Sequence, residues 1–265
     1  MRIELDGAKN TRDLGGIPAA NGRLIKKHRL IRSGVLSHIT PTDVSVLQQC
    51  RLKRVIDFRV SAELRQRPDV QIDGVEYISL PLVSEQIMGV TREKNVIEQM
   101  IKMARIPGFC AEKHMQNIYS DFVRGEFSPA QLRKFFSLLL NECDGAVLWH
   151  CTAGKDRVGV ATALLLTILG ADEDTIFADY MRTNDFVAAD VSDAVQAVAL
   201  RLNGEFSAVY ITDMVTTLYT VQKSHLRSVF DTMKHISGNV ETYLREVLGI
   251  TPDIRDQFRK LYLEP

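Results

Sequence analysis

The chain has 265 residues, of which 45% are hydrophobic and 25% are charged, a composition typical of a soluble globular protein. Lys plus Arg and Asp plus Glu both number 33, so the formal net charge is zero and no global field favours nucleic acid or anionic lipid. No stretch reaches the ~18 apolar residues of a membrane span, and the N-terminal segment lacks the apolar core of a signal peptide. We therefore expect a cytoplasmic protein without stable membrane insertion, with leaderless secretion left open.

The first half of the chain alternates predicted strands with predicted helices. Residues 10–23 are rich in turn-forming and polar residues. Thr40 with Asp43 three residues later predicts a helix start, and Ser128 followed by Pro129 predicts another. Strands alternating with helices predict an α/β protein with a mostly parallel central sheet flanked by helices. The predicted strands, which are β-branched or apolar, are Leu30 to Arg32, Arg54 to Phe58, Val75 to Leu80 and Ala146 to His150.

The last third of the chain, from Asp172 onward, has an almost entirely helical pattern. Breaks are expected at Gly204, Gly238, Gly249 and Pro252. We expect a single domain over residues 1–265, with a helical insertion or lid around 186–237 that packs beside or over the functional site.

The four cysteines are widely spaced and include no C-x-x-C pair, which argues against a zinc site or a disulfide framework. Cys50, Cys110 and Cys143 are predicted to be core residues, as isolated cysteines usually are. Cys151 differs because of its setting in WHCTAGKDRVG, residues 149–159.

That segment links the predicted strand AVLW to the apolar helix RVGVATALLLTILG, which ends at Gly170. A loop that enters a helix at the carboxyl end of a parallel strand turns backbone N–H groups toward one point, and the helix dipole adds positive potential. Gly154 lets the loop curl without a Cβ clash. The segment Thr152, Ala153, Gly154, Lys155, Asp156 and Arg157 is therefore a predicted phosphate-binding loop.

Cys151 lies at the base of this loop, where helix N-termini and cations lower a thiol pKa from about 8.5 to roughly 3.5–7.5. Arg157 offers a planar fork of donors that matches two phosphate oxygens. A thiolate nucleophile, amide donors and a guanidinium together indicate phosphoryl transfer to sulfur.

The segment HCTAGKDRVG resembles the loop of the bacterial cysteine-based tyrosine and lipid phosphatases with the pattern H-C-x-x-G-K-D-R, a group that includes the mycobacterial PtpB-like enzymes. NTRDLGG resembles the group's N-F-R-D-L-G-G, with Thr11 in place of Phe. Further similar segments are IRSGVLSHIT, VIDFRVSAE and DYMRTND. The resemblance covers most of residues 10–185.

The resemblance implies a protein tyrosine phosphatase fold and a role for each loop residue. Cys151 would attack phosphorus, and Arg157 with the loop amides would hold the phosphate oxygens. His150 would order the loop, Lys155 would add charge over the pocket, and Asp156 would be the general acid and then the base. The substrate would be a phosphotyrosine protein or a phosphoinositide, with inorganic phosphate as product and neither cofactor nor metal.

Several alternatives stay open at this point. Asp57, at the end of a strand, and Asp121, 30 residues before Cys151, are rival general acids. Arg12 and Asp13 either brace the loop or form a structural turn, and His150 could be an ordinary core residue. Val158 stands where the family usually has Thr or Ser, which keeps open a phosphate-binding pseudophosphatase with little turnover. A rhodanese-like sulfurtransferase is a second alternative, disfavoured by the spacing of Cys151 and Arg157.

Overall fold

The computed structural model describes residues 1–84, 96–141 and 144–265, and its centre is a five-stranded sheet in the order β1-β2-β5-β3-β4. β1 runs antiparallel to β2, and the other neighbours are parallel. The predicted mostly parallel α/β sheet is confirmed. The strands are β1 (Arg12–Asp13), β2 (Leu30–Ser33), β3 (Leu52–Asp57), β4 (Glu76–Ser79) and β5 (Ala146–His150).

β5 lies in the middle of the sheet, and all five of its residues are buried. A strand covered on both faces reads as a continuous apolar run, as AVLW does. Ser33 at the end of β2 and Asp57 at the end of β3 are both in register with His150. The carboxyl ends of three strands therefore meet at one edge of the sheet, where parallel α/β folds bind ligands.

The helices occupy both faces of the sheet and almost all of the last third of the chain, as predicted. Among the described residues, no helix is long and apolar enough to cross a membrane. The helices are α1 (Pro41–Gln49), α2 (Ser61–Gln66), α3 (Val96–Ala104), α4 (Ala111–Asp121), α5 (Phe127–Leu140), α6 (Asp156–Leu169), α7 (Glu173–Met181), α8 (Asn184–Leu202), α9 (Ala208–Tyr219), α10 (Lys223–Ser237), α11 (Val240–Glu246) and α12 (Pro252–Tyr262).

Most predicted helix boundaries are confirmed. Thr40 and Asp43 form a reciprocal capping box at the start of α1, and α6 ends at Gly170, whose φ is +86°. The start predicted at Ser128 is wrong, because α5 already begins at Phe127. Pro129 then lies within the first turn, where its missing N–H removes no intrahelical hydrogen bond.

Three apolar clusters stabilise the fold. The largest packs α4, α5, α6 and α12 on one face of the sheet around Trp149, and a second packs α1 on the other face around Val55 and Leu148. The third joins α3, α8 and α9 around Met100, Val198 and Val215. Two hydrogen bonds between Asn184 and the backbone of Val221, at 2.8 and 2.9 Å, close the base of the α8–α9 hairpin.

Two sequence predictions need correction. Cys50 is buried as predicted, but Cys110 is exposed at the start of α4 instead of lying in the core. Cys143 lies outside the described residues. The segment predicted only as turns, residues 10–23, contains the buried strand β1, which is two charged residues long and so carries no apolar pattern.

A buried ion cluster fixes β1 and β2 to α7. Asp179 accepts from Arg12 Nε at 2.8 Å and from Arg32 Nη1 at 2.6 Å, and all three side chains are buried. Burial alone would raise the pKa of Asp179, but Arg32 and Arg12 outweigh it and lower that pKa to about 2. One carboxylate therefore balances two guanidiniums in the interior.

We predict that Asp179→Asn lowers the free energy of unfolding by about 3–5 kcal/mol at pH 7, because it leaves two buried guanidiniums without a counter-charge. Urea unfolding measures the loss. The matched control is Asp190→Asn, which removes the exposed ion pair with Lys9 and should cost at most about 1 kcal/mol.

The charge of Asp179 also determines how the loss of stability in Asp179→Asn depends on pH. The folded-state pKa lies below the unfolded value of 3.8, so the Asp179 contribution is present above pH 3.8 and is lost as the pH falls toward 2. The difference between wild type and Asp179→Asn should shrink over that window. Equal stabilities of Asp179→Asn and Asp190→Asn at pH 7 would contradict the prediction.

Candidate active site

The predicted phosphate-binding loop lies between the end of β5 at His150 and the start of α6 at Asp156. Cys151 is buried, with 2% of its surface exposed. Gly154 has a φ of +63°, and a Cβ there would lie 2.5 Å from the carbonyl oxygen of Ser33. The loop conformation therefore requires glycine at this position, both for its backbone angle and for its contact with β2.

The loop is held through its carbonyl groups. The Gly154 oxygen accepts from Asn10 Nδ2 at 2.8 Å and from Arg32 Nη2 at 2.9 Å. The Thr152 oxygen accepts from the backbone N–H of Val35 at 3.2 Å. With these oxygens tied to the scaffold, the loop cannot turn over to present carbonyls to an anion.

The amide groups of the loop, unlike its carbonyl groups, are not bound to the scaffold. Five backbone N–H groups of the loop donate no hydrogen bond to any part of the chain that the structure describes. They belong to Thr152, Ala153, Gly154, Asp156 and Arg157. Unsatisfied donors at a helix N-terminus, together with the helix dipole, are suited to an anion such as phosphate.

Arg12 and Asp13, the two residues that were predicted to brace the loop, differ in what they contact. Arg12 donates to the side chain of Asn10, which in turn donates to Gly154. Asp13 instead accepts from the backbone N–H groups of Gly15 and His28, each at 2.8 Å. Arg12 supports the loop through one intermediate, whereas Asp13 stabilises the neighbouring turn.

Arg157 is oriented by Glu63 of α2. Arg157 Nη1 and Nη2 donate to the two Glu63 oxygens at 2.6 and 2.9 Å, and Thr152 Oγ1 donates to the same carboxylate. Burial alone would raise the pKa of Glu63, but Arg157 outweighs it and lowers that pKa. Arg157 Nε is buried and bonds to no group in the described chain, so the fork keeps a donor for a ligand.

His150 is held beneath the loop by two carboxylates. Its Nε2 lies 3.0 Å from Asp69 and 3.8 Å from Asp57, and its Nδ1 is 3.1 Å from the carbonyl oxygen of Cys151. Burial opposes a charge on the imidazole, but Asp57 and Asp69 outweigh it and raise the pKa of His150. The ring therefore fixes the backbone at the cysteine.

Asp57 is one of the two carboxylates that hold His150 beneath the loop. Its two oxygens accept from Arg59 Nε and Nη2 at 2.7–3.0 Å, and Arg59 also lies 3.0 Å from Asp69. Asp57, Asp69 and His150 offer ligand atoms within 4.8 Å of one another, a spacing that would suit a metal ion. The Arg59 guanidinium already contacts both carboxylates and supplies the balancing positive charge.

Asp156 and Asp121, the two other candidate acids, lie in different environments. Asp156 is buried at the first position of α6, and its Oδ1 accepts from the hydroxyl of Tyr119 at 2.7 Å. Asp121 is the last residue of α4, has 43% of its side chain exposed, and lies 3.7 Å from Arg124. Asp156 alone of the two is part of the loop that carries Cys151.

Lys155 was predicted to spread charge over the pocket, but the structure directs it to the helical layer. Its Nζ donates to the carbonyl oxygen of Leu218 at 2.8 Å and lies 3.4 and 3.5 Å from those of Tyr219 and Thr220. These carbonyls belong to the C-terminal end of α9, where the helix dipole favours a cation. Lys155 thereby connects the loop to the α8–α9 hairpin.

Val158, in the first turn of α6, is fully buried and belongs to the same apolar cluster as Cys151. Valine matches the shape of threonine but has no hydroxyl donor. Where the family usually has Thr or Ser, this chain therefore lacks a hydrogen-bond donor at a closely packed position.

Sequence reasoning missed several residues that support the loop, among them Asn10, Arg32, Asp69 and the four that follow, of which three lie in segments with a visible signal. Glu63 ends the segment VIDFRVSAE, and Asp179 and Tyr180 begin DYMRTND. Tyr119 lies in the helical segment MQNIYSDFVR, where its aromatic ring is typical of a core position. Which partner each side chain meets depends on contacts between residues 37 to 167 positions apart, and local patterns do not encode those contacts.

Comparisons with known proteins show the family of the chain. The model of the tyrosine phosphatase family matches residues 3–264. A Cupriavidus necator protein that carries the name of a tyrosine-protein phosphatase is 30% identical over 250 residues, which cover 94% of this chain and 84% of that protein. The Mycobacterium tuberculosis triple specificity protein phosphatase PtpB is 27% identical over 281 residues, covering 98% of each chain.

Among solved structures, kinase associated phosphatase with its catalytic cysteine replaced by serine matches with a TM-score of 0.42 and 9% identity, covering 89% of this chain and 99% of that one. Pseudomonas aeruginosa TpbA matches with a TM-score of 0.35 and 18% identity, covering 70% and 84%. The family model, which spans nearly the whole sequence, is the decisive match. The chain belongs to the tyrosine phosphatase family.

Proposed function

We propose that the protein hydrolyses phosphotyrosine through a cysteinyl-phosphate intermediate on Cys151. One observation carries the proposal: Cys151 lies at the base of a loop whose amides are unengaged by the described chain, beside an arginine fixed by Glu63. A nucleophile beside preorganised donors is the arrangement that stabilises the charge of a transferring phosphoryl group.

In the first step, Cys151 Sγ attacks phosphorus while the bond to the leaving oxygen breaks. The loop amides and Arg157 hold the other three phosphate oxygens, and Asp156 gives its proton to the leaving oxygen. In the second step, Asp156 takes a proton from water, whose oxygen attacks phosphorus. The S–P bond then breaks, and inorganic phosphate leaves with the thiolate restored.

Asp156 suits the acid role better than its rivals. Asp57 is engaged with Arg59 beneath His150, and Asp121 is a largely solvated residue paired with Arg124. Asp156 is next to Arg157 in the loop itself, so a substrate held by that arginine lies within reach of its carboxyl group.

Phosphotyrosine is the proposed substrate because the chain belongs to the tyrosine phosphatase family and its relatives carry that name. The M. tuberculosis relative is named a triple specificity phosphatase, which favours testing phosphoserine, phosphothreonine and phosphoinositides beside phosphotyrosine. Phosphate release from such a panel, with Cys151→Ser as the blank, tests the proposal.

We further propose that residues 1–265 form one phosphatase domain, with the helices around 186–237 as its lid. Support comes from Lys155, which joins the loop to α9, and from the ion pair of Lys9 with Asp190 of α8 at 2.8 Å. The free thiols of Cys50, Cys110 and Cys151 support a cytoplasmic location.

Cys151→Ser should abolish turnover while the protein still binds inorganic phosphate, because the loop amides and Arg157 are unchanged. Phosphate release from a phosphotyrosine peptide measures the first effect, and calorimetric titration with phosphate measures the second. The matched control is Cys110→Ser, an exposed cysteine outside the loop, which should keep wild-type activity. Near-wild-type turnover by Cys151→Ser would refute the nucleophile.

Asp156→Asn should lower kcat by about 10²–10⁴-fold for aryl phosphates with poor leaving groups, the usual contribution of acid–base catalysis. Substrates with acidic phenols need no proton and should lose much less. Asp121→Asn should leave both rates unchanged, and Asp57→Asn should act mainly on stability through Arg59. If one of these two variants shows the leaving-group pattern instead, the acid is that residue.

Val158→Thr should speed breakdown of the cysteinyl-phosphate, because a hydroxyl donated to the departing thiolate is worth about 1.5–3 kcal/mol, or roughly ten- to a hundred-fold in rate. Rapid mixing of the wild type with an aryl phosphate should show a burst of phenol followed by slow turnover. Val158→Thr should show a smaller burst and a higher steady rate.

The control is Val158→Ala, which removes volume without adding a donor and should not raise the steady rate. A folded Val158→Thr protein with unchanged turnover, and no burst in either form, would show that intermediate breakdown does not limit the rate. A wild-type burst with almost no later turnover would instead favour the pseudophosphatase alternative.

A further inference from the structure

Two buried tyrosines form a hydrogen-bonded chain that ends on the carboxylate of Asp156. The hydroxyl of Tyr180, in α7, donates to the hydroxyl of Tyr119, in α4, at 2.7 Å. The hydroxyl of Tyr119 donates to Asp156 Oδ1, also at 2.7 Å. Both rings are almost completely buried and meet edge to face, with centroids 6.2 Å apart.

The direction of this chain is fixed by charge. Burial, and next the Asp156 carboxylate, raise the pKa of Tyr119 well above its ordinary value of 10. Burial followed by Asp156 does the same for Tyr180. Both hydroxyls therefore keep their protons, and Tyr119 is the donor in its contact with Asp156 Oδ1.

The hydrogen bond from Tyr119 also gives the two oxygens of Asp156 different surroundings. Oδ1 is occupied by Tyr119, whereas Oδ2 lies 3.6 Å from Lys155 Nζ. A carboxyl group with one oxygen engaged by a rigid donor has its rotation restricted, which leaves Oδ2 as the oxygen to carry the proton. Packing alone does not account for the two hydrogen-bonded tyrosines, because phenylalanine would fill both positions without requiring buried hydroxyls.

We propose that Tyr119, held in place by Tyr180, is a positioning residue that orients Asp156 and sets the pH range over which Asp156 carries its proton. The inference rests on the proposed role of Asp156 as the general acid. Neither tyrosine is assigned a contact with substrate; they act through the carboxyl group.

Other ionisable groups surround Asp156 and have to be separated from this effect. Lys155 and Arg157 adjoin it in the loop, and the thiol of Cys151 lies at the base of that loop. The His225 ring of α10 is tilted against that of Tyr119, with centroids 5.5 Å apart, and its Nε2 lies 3.2 Å from Glu112 of α4. Burial lowers the pKa of His225 despite the opposing Glu112 and Asp156, so its titration falls on the acid side of neutrality.

The test is the pH dependence of kcat/KM for Tyr119→Phe with aryl phosphates of different leaving groups. Loss of the donor destabilises the ionised carboxylate, so Asp156 holds its proton to higher pH. The alkaline limb of the profile should move upward by about one pH unit, since a hydrogen bond to a charged group is worth at least that much. The rate at the optimum should fall more for poor leaving groups than for good ones.

The matched control is Tyr243→Phe. Tyr243 is also fully buried, and its hydroxyl donates to the carbonyl of Val123 at 2.6 Å, away from the loop. Tyr243→Phe removes a comparable buried hydrogen bond far from the loop. This purely structural loss should leave the pH profile and the leaving-group dependence unchanged. Tyr180→Phe keeps the donor on Tyr119 and should shift the limb in the same direction by a smaller amount, a second reading if Tyr119→Phe folds poorly.

Asp156→Asn separates the failure of this inference from failure of the proposed function. If Asp156→Asn removes the alkaline limb while Tyr119→Phe and Tyr180→Phe give the same profile as Tyr243→Phe, the positioning role is refuted and the acid assignment stands. If Asp156→Asn keeps both the limb and the leaving-group dependence, Asp156 is not the acid and the inference falls with it.

Discussion

The active-site loop depends on the outward orientation of its carbonyl groups. A buried peptide oxygen needs a donor, and Gly154 receives two, from Asn10 and Arg32. Because the two ends of a peptide unit point in opposite directions, the bond from Val35 to the Thr152 oxygen directs the N–H group of Ala153 toward the loop interior. The anion binding proposed for the loop therefore depends on contacts on its far side.

The charged side chains that support the loop are in turn held by ion pairs in the interior. Four arginines are among the largest fully buried side chains, and each pairs with a carboxylate: Arg12 and Arg32 with Asp179, Arg157 with Glu63, and Arg59 with the nearby Asp57 and Asp69. Removing such a charge from water costs several kcal/mol, so an unpaired member would be strongly destabilising. The ion pairs consequently specify one arrangement of β1, β2, α2 and α7 around the loop, which apolar packing alone would leave less defined.

The sequence predicted the parts of the molecule that depend on local patterns. Strands β2, β3, β4 and β5 and helix α6 were visible as apolar runs bounded by Gly and polar residues, and residues 151–157 were visible as the polar link between β5 and α6. The strand β1 was missed because two charged residues carry no periodicity. The contacts of Lys155 with α9, of Glu63 with Arg157 and of Asp179 with two arginines depend on distant segments, and a single sequence does not show which ones meet.

The structure holds the two halves of the loop from different layers. Gly154 and Arg157, which would bind phosphate, are held by residues at the edge of the sheet and by Glu63. Lys155 and Asp156, which would govern proton transfer, are held by α9 and by the tyrosines of α4 and α7.

Because α9 packs in a separate apolar cluster with α3 and α8, a displacement of that layer would move Lys155 away from Asp156 Oδ2 without disturbing the ion pair of Arg157 with Glu63. Losing a nearby cation favours the protonated form of a carboxyl group. With the proposed roles of Asp156 and Arg157, movement of the helical layer would therefore alter proton transfer more than phosphate affinity.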